Sequence, residues 1–332
     1  MYTISHEKFG AHTVINLASA TEKFSFCLTG GTPLSYKIKK NGDVFFDIFD
    51  GFRTPEEFDS GNGSRNWIMT PFANRIAEDS YTFNGKNYKL HPIPPKTRVI
   101  HGFTAMEKFE IIDSLVSEAY AKVTLKNSSI RKEKFVGYPF DVDVFISFEL
   151  SQNKLSIVVT GENLSDVPIP FWSGWHPYFK TDEEGIENLQ LKLNATKIIL
   201  MDESFIPLPD EQAYGEISNY PDFDLRGNPH IGESRVNGKI FDLCYADIVS
   251  DEDGFYSTKI IDETNNLQLR VYQNKGVTLL FSGDSLADRK RKSIAVEPMQ
   301  CLTNSFNRKD FYDEITILPG KKSSFLFGVE VL

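Results

Sequence analysis

The chain has 332 residues, 40% hydrophobic and 25% charged, enough to bury a large core, and its formal net charge of −10 excludes a protein that holds nucleic-acid phosphates through a basic field. No apolar run is long enough for a membrane-spanning helix. The first twenty residues lack the basic and apolar regions of a signal peptide, so a cytoplasmic location is expected. Length alone suggests about two domains, but β-sandwiches and barrels often exceed 200 residues as one unit.

Period-two alternation runs along the chain. Strands are predicted at Asp43–Phe49, Ala121–Lys126, Phe140–Leu150, Leu155–Thr160, Leu189–Leu193, Lys197–Met201, Leu267–Tyr272, Val277–Phe281, Ser293–Glu297 and the stretch around Phe325–Val331. In Phe140–Leu150, Val142, Val144, Ile146, Phe148 and Leu150 share one face; Phe145 breaks the polar character of the other. Turn dipeptides separate the strands at Gly30-Gly31, Asn84-Gly85, Asn237-Gly238 and Pro319-Gly320. No amphipathic helix of ten residues or more is evident, and no linker or repeat divides the chain. The fold class is therefore all-β, an antiparallel sandwich or large barrel in one domain over residues 1–332. The cysteines, Cys27, Cys244 and Cys301, form no CxxC pair and read as buried reduced thiols.

The six histidines show no HxH, HxxxH or HExxH spacing, so no metal is expected; the absence of GxSxG argues against a serine hydrolase. His6, His12 and His230 read as surface residues and His91 as part of a proline-rich loop. His176 sits within Pro170-Phe171-Trp172-Ser173-Gly174-Trp175-His176-Pro177-Tyr178-Phe179. Alone, it fits equally a core histidine bonded to a carbonyl or a group in a sugar site walled by Trp and Tyr rings. Arg75, in Pro71-Phe72-Ala73-Asn74-Arg75-Ile76, reads alone as a structural ion-pair partner. Glu297, in Ser293-Ile294-Ala295-Val296-Glu297-Pro298, reads alone as a strand's exit to solvent.

Together, and in order, these strings resemble the aldose 1-epimerase (galactose mutarotase) family from about residue 40 to the C-terminus. The resemblance lies in Pro71–Ile76 followed by Tyr81-Thr82-Phe83-Asn84-Gly85 and Tyr88-Lys89-Leu90, in Ile100-His101-Gly102, in Gly161-Glu162-Asn163 leading to Gly174–Phe179, in Phe241–Tyr245, and in Leu267–Tyr272 and Phe281-Ser282-Gly283 before Glu297. It implies a galactose mutarotase-like β-sandwich acting without a cofactor on an aldohexose, free or phosphorylated, as a monomer or homodimer. It also implies Glu297 as general base and His176 as general acid, with Arg75, His101, Asp242 and Asn74 binding the sugar. Trp175 and Phe281 would form an apolar platform. Such an acid–base pair suffices for ring opening, which needs no redox step and no nucleophile. The alternatives are a hexose-6-phosphate mutarotase, a non-catalytic sugar-binding protein of the same fold, and a glycoside hydrolase using Asp242 with Glu297.

Three departures from the family pattern carry expectations. Phe103 stands where many relatives have glycine and should narrow the groove near His101. Leu279 stands where many have glutamine and should leave one hydroxyl unrecognised. The run Arg289-Lys290-Arg291-Lys292 reads as a solvated loop tip, with a phosphate subsite as the sharper alternative.

Overall fold

The computed structural model describes residues 1–39, 44–182, 184–227, 229–231 and 240–332. The Asn237-Gly238 turn and Asp43 lie outside them. An eight-stranded antiparallel sheet runs in the order Gln190–Leu193, Tyr256–Asp262, Leu267–Gln273, Lys322–Val331, Lys154–Asn163, Val142–Ser151, Tyr120–Ile130, Glu110–Val116. Its sequence dictates its two faces. Val142, Val144, Ile146, Phe148 and Leu150 are fully buried, as the alternation requires. On the outer face Asp143 pairs with Lys126 and Arg131, both at 2.6 Å, and Lys126 and Lys322 lie over the Phe145 ring at 5.5 and 5.1 Å. Phe145 therefore breaks the polar pattern without breaking the strand: its solvent-side ring is covered by cations.

A second sheet runs Tyr214–Glu216, Ala195–Ile199, Asp242–Ile248, Val277–Phe281, Ile294–Met299, Gly174–Trp175, Ile68–Met69, with Tyr178–Phe179 also paired to Ile294–Met299. The two sheets meet through aromatic side chains; Trp175 stacks on Phe327 at 5.5 Å and meets Phe49 and Phe179 edge-on. A five-stranded meander, Thr3–Phe9, His12–Ala18, Glu22–Cys27, Thr32–Lys39, Phe45–Asp47, packs on the large sheet where Phe26 stacks on Phe148 at 4.3 Å. The fold is a galactose mutarotase-like β-sandwich. The helices among the described residues are one or two turns long, and none is long and apolar enough to cross a membrane.

Every residue of Ile294–Met299 is buried, because the strand is central and covered on both faces. Glu297 thus lies inside the sheet, 1% exposed, and does not mark an exit into solvent.

Candidate active site

Strand register gathers the site. Glu297 lies directly opposite Leu279, and Asp242 opposite Phe281, across three adjacent antiparallel strands. With period two, Asp242, Leu279, Phe281 and Glu297 project from one face. All four line a cavity of about 390 Å³, within the ~300–1,000 Å³ usual for small-molecule sites. Asn74, Arg75, His101, His176 and Tyr178 line it too.

His176 is fixed through its backbone: its N–H donates to Trp67 O at 3.0 Å and its carbonyl accepts from Asn66 N–H at 2.9 Å. Its ring stacks on Tyr178 at 5.1 Å, and the Tyr178 hydroxyl donates to Gly63 O at 3.0 Å. These contacts bring His176 Nε2 to 3.3 Å from Glu297 Oε1. Among the described residues, His176 Nδ1 and Glu297 Oε2 have no hydrogen-bond partner. Burial, then the neighbouring Asp242, pushes the Glu297 carboxyl well up; burial, then the charge of Lys96, pulls His176 down to about 3. A lone charge on either group is disfavoured in this enclosure.

His101 and Asn74 lock one another. Both have left-handed backbones, φ 60° and 55°. His101 N–H donates to Asn74 O at 3.0 Å, and Asn74 N–H donates to His101 Nδ1 at 3.2 Å. With Nδ1 accepting, the neutral ring carries its hydrogen on Nε2. Burial holds His101 neutral by driving its pKa well down, with His176 adding to the effect. Gly102 must be glycine: its φ is +68°, and a Cβ would collide with the Thr70 carbonyl oxygen. Arg75 donates to Asn74 Oδ1 at 2.9 Å. The charges of Arg75 and Arg98 oppose the burial that raises Asp242. The arrangement presents fixed donors (Arg75, His101) and carboxylates around the His176–Glu297 pair. Among the described residues no three His, Cys, Asp or Glu side chains gather where they could hold a metal ion.

Residues 13–328 match the aldose 1-epimerase family model. The chain belongs to that family. Its relatives include galactose mutarotase of Sus scrofa, 22% identical over 96% of both chains, and the uncharacterized protein YihR of Escherichia coli K12, 25% identical over 79% of this chain and 77% of that one. A galactose mutarotase-like protein from Clostridium acetobutylicum has the same fold, with a TM-score of 0.81 at 20% identity over 100% of this chain and 98% of its own. The family match begins at residue 13, so it takes in N-terminal strands that the residue motifs, starting near residue 40, did not reach.

Of the family-type residues, Glu297, His176, Arg75, His101, Asp242, Asn74 and Phe281 line the cavity; Trp175 does not. Trp175 ends the short strand Gly174–Trp175 and turns into the core, where it is fully buried, while His176, just beyond the strand, lines the cavity. Phe103 is also turned away, stacked on Phe135 at 4.7 Å, and leaves the groove near His101 unnarrowed. Leu279 does face the cavity, beside Glu297. The basic run 289–292 divides: Lys290 and Lys292 are exposed as a solvated tip would be, the two arginines are not, and none of the four lines the cavity. Arg289 pairs with Asp50 at 2.6 Å and with Glu57, while Arg291, 6% exposed, pairs with Glu187 at 2.8 Å and Asp284 at 2.9 Å. Nor is His12 a plain surface residue: it bridges Asp59 at 2.7 Å and Thr29 at 3.0 Å.

Sequence reasoning missed Lys96 and Arg98, which line the cavity, and Phe205, whose ring lies 5.0 Å from the Arg75 guanidinium carbon beside an adjoining groove. Lys96-Thr97-Arg98, two cations two residues apart just before Ile100-His101 in an acidic chain, was the available signal.

Proposed function

We propose that this protein is a mutarotase that interconverts the α and β anomers of an aldohexose. The 3.3 Å approach of His176 to Glu297 on the cavity floor carries the reading. Glu297 takes the proton from the anomeric hydroxyl; His176 delivers one to the ring oxygen as the C1–O5 bond breaks. The open aldehyde turns about C1–C2 and recloses on its other face with the roles reversed. The cycle runs through the tautomer with carboxylate and imidazolium, the one able to accept at O1 and donate at O5 together. Each positioned acid or base contributes roughly 10²–10⁴-fold. Arg75, the His101 Nε2–H and Asp242 hold sugar hydroxyls, Asn74 orients Arg75 and His101, and Phe281 supplies the apolar wall.

Residues 1–332 act as one unit in this reading. Its support is that the C-terminal strand Lys322–Val331 pairs with Lys154–Asn163 near the middle of the large sheet. The galactose mutarotase relative adds weight to the choice of reaction.

The test is optical rotation of freshly dissolved α-D-glucose and α-D-galactose with and without the protein. Faster mutarotation of either is expected. Unchanged kinetics with tight sugar binding would favour a binding protein; release of reducing ends from oligosaccharides would favour a hydrolase, which leaves the His176–Glu297 contact without a role.

A further inference from the structure

We infer that the pocket takes an aldose bearing an anionic substituent, held by Lys96 and Arg98. The inference rests on the mutarotase reading and names the substrate class for it. Three cations line the cavity, Arg75, Lys96 and Arg98, against two carboxylates, Asp242 and Glu297. Asp242 lies under the influence of both Arg75 and Arg98 and offsets one of them. Lys96 and one arginine charge remain. Neither Lys96 nor Arg98 has a carboxylate within ion-pair distance among the described residues. Lys96 lies over the Trp67 ring at 4.2 Å, with its Nζ against the Ser64 hydroxyl. Burial, then the like charge of Arg98, pulls Lys96 down to about 8.

The rest of the molecule makes Lys96 unusual; Arg98, beside it in the lining, is exposed. Elsewhere the enclosed arginines meet carboxylates: Arg65 with Asp50 at 2.8 Å, Arg289 with Asp50, Arg291 with Asp284, and Arg308 with Asp310 at 2.7 Å. Acid is not scarce, with 46 Asp and Glu against 36 Lys and Arg. Taking an ammonium out of water without a counter-charge is costly, so the half-buried Lys96, with an exposed Arg next to it, fits an oxyanion arriving with the ligand. Their chemistry is complementary: the guanidinium offers a planar fork to carboxylate, phosphate or sulfonate oxygens, and the ammonium a compact point charge. The flanking Gly61–Ser64 segment, itself part of the lining, leaves room beside the Ser64 hydroxyl. Lys96 is also close enough to influence His176 and His101, so a substituent held there is continuous with a ring held at the reacting pair.

The experiment measures kcat/KM for anomer exchange of D-glucose, D-glucuronate and D-glucose 6-phosphate by exchange NMR at low ionic strength. At least one acidic sugar should exceed D-glucose by about 10-fold or more, as a charged hydrogen bond gives. The two acidic sugars distinguish carboxylate from phosphate recognition. In Lys96→Met/Arg98→Gln, the acidic-to-neutral ratio should fall by about the same factor, while Lys96→Arg should retain it. Acceleration of D-glucose with no acidic preference would overturn this inference and leave the mutarotase reading standing. So would a ratio unchanged in the folded double variant. Acceleration of none of the three sugars would overturn both.

Discussion

The two large sheets each bury a carboxylate and treat it in opposite ways. In the sheet containing Val142–Ser151, the buried Asp143 is paired with Lys126 and Arg131, and the apolar face is filled by fully buried aliphatic and aromatic chains. In the sheet containing Ile294–Met299, Glu297 is equally buried yet keeps an oxygen without a hydrogen bond, facing a histidine with a nitrogen in the same condition. Asp143 is satisfied by its cations, whereas Glu297 is held at a free-energy cost that its chemistry explains.

The largest effect expected from this contrast is on rate. Glu297→Gln and His176→Asn should each reduce kcat for mutarotation by about 10²–10⁴-fold with an unchanged circular dichroism spectrum. A near-normal rate in either would remove the assigned chemistry. Next comes the packed interface: Trp175→Ala, next to His176 in the chain but buried in the core, should lower unfolding free energy by about 3–5 kcal/mol in denaturant titration. A small loss there would mean that Trp175 is not the core residue its burial indicates.

A smaller effect separates the sheets directly. Burial raises the folded-state pKa of Glu297 above its unfolded value, so this group favours the unfolded chain at any pH above that unfolded value. Glu297→Gln should therefore raise the melting temperature at neutral pH, by about 1 kcal/mol in stability at the midpoint. A fall in Tm would show the carboxylate to be structurally paired. The last expectation is the absence of a step. His176 is drawn down to about 3 by burial. The kcat/KM profile should therefore show no limb near the ordinary histidine value of about 6.5. A limb at the ordinary histidine value would mean that His176 titrates independently.

The strands of the large sheet were legible because one face is wet and one dry, so hydrophobicity alternates as the backbone does. Thr3–Phe9 and Glu110–Val116 were not read as strands, since most of their residues are exposed and no alternation marks them. Ser293–Glu297 was read as a strand but ended too early. Ile294–Met299 is buried on both faces, and Pro298 and Met299 extend it without a polar residue to mark its edge. Motifs pointed to His176, Glu297 and the residues around them but not to the 60–64 and 95–98 segments of the lining, and adjacency in the chain put Trp175 beside His176 in the expected site, when the fold turns Trp175 into the core.

Local composition and period are enough to specify strands, turns and the family, because each depends on residues a few positions apart. Which charged groups stay uncompensated depends on partners far along the chain. Arg289 finds Asp50 across 239 positions, and Lys96 ends beside Ser64 and Trp67 with no acid near it. Folding alone assigns those neighbours, so in the linear chain the basic run at 289–292 drew the attention that the cavity gives to Lys96 and Arg98.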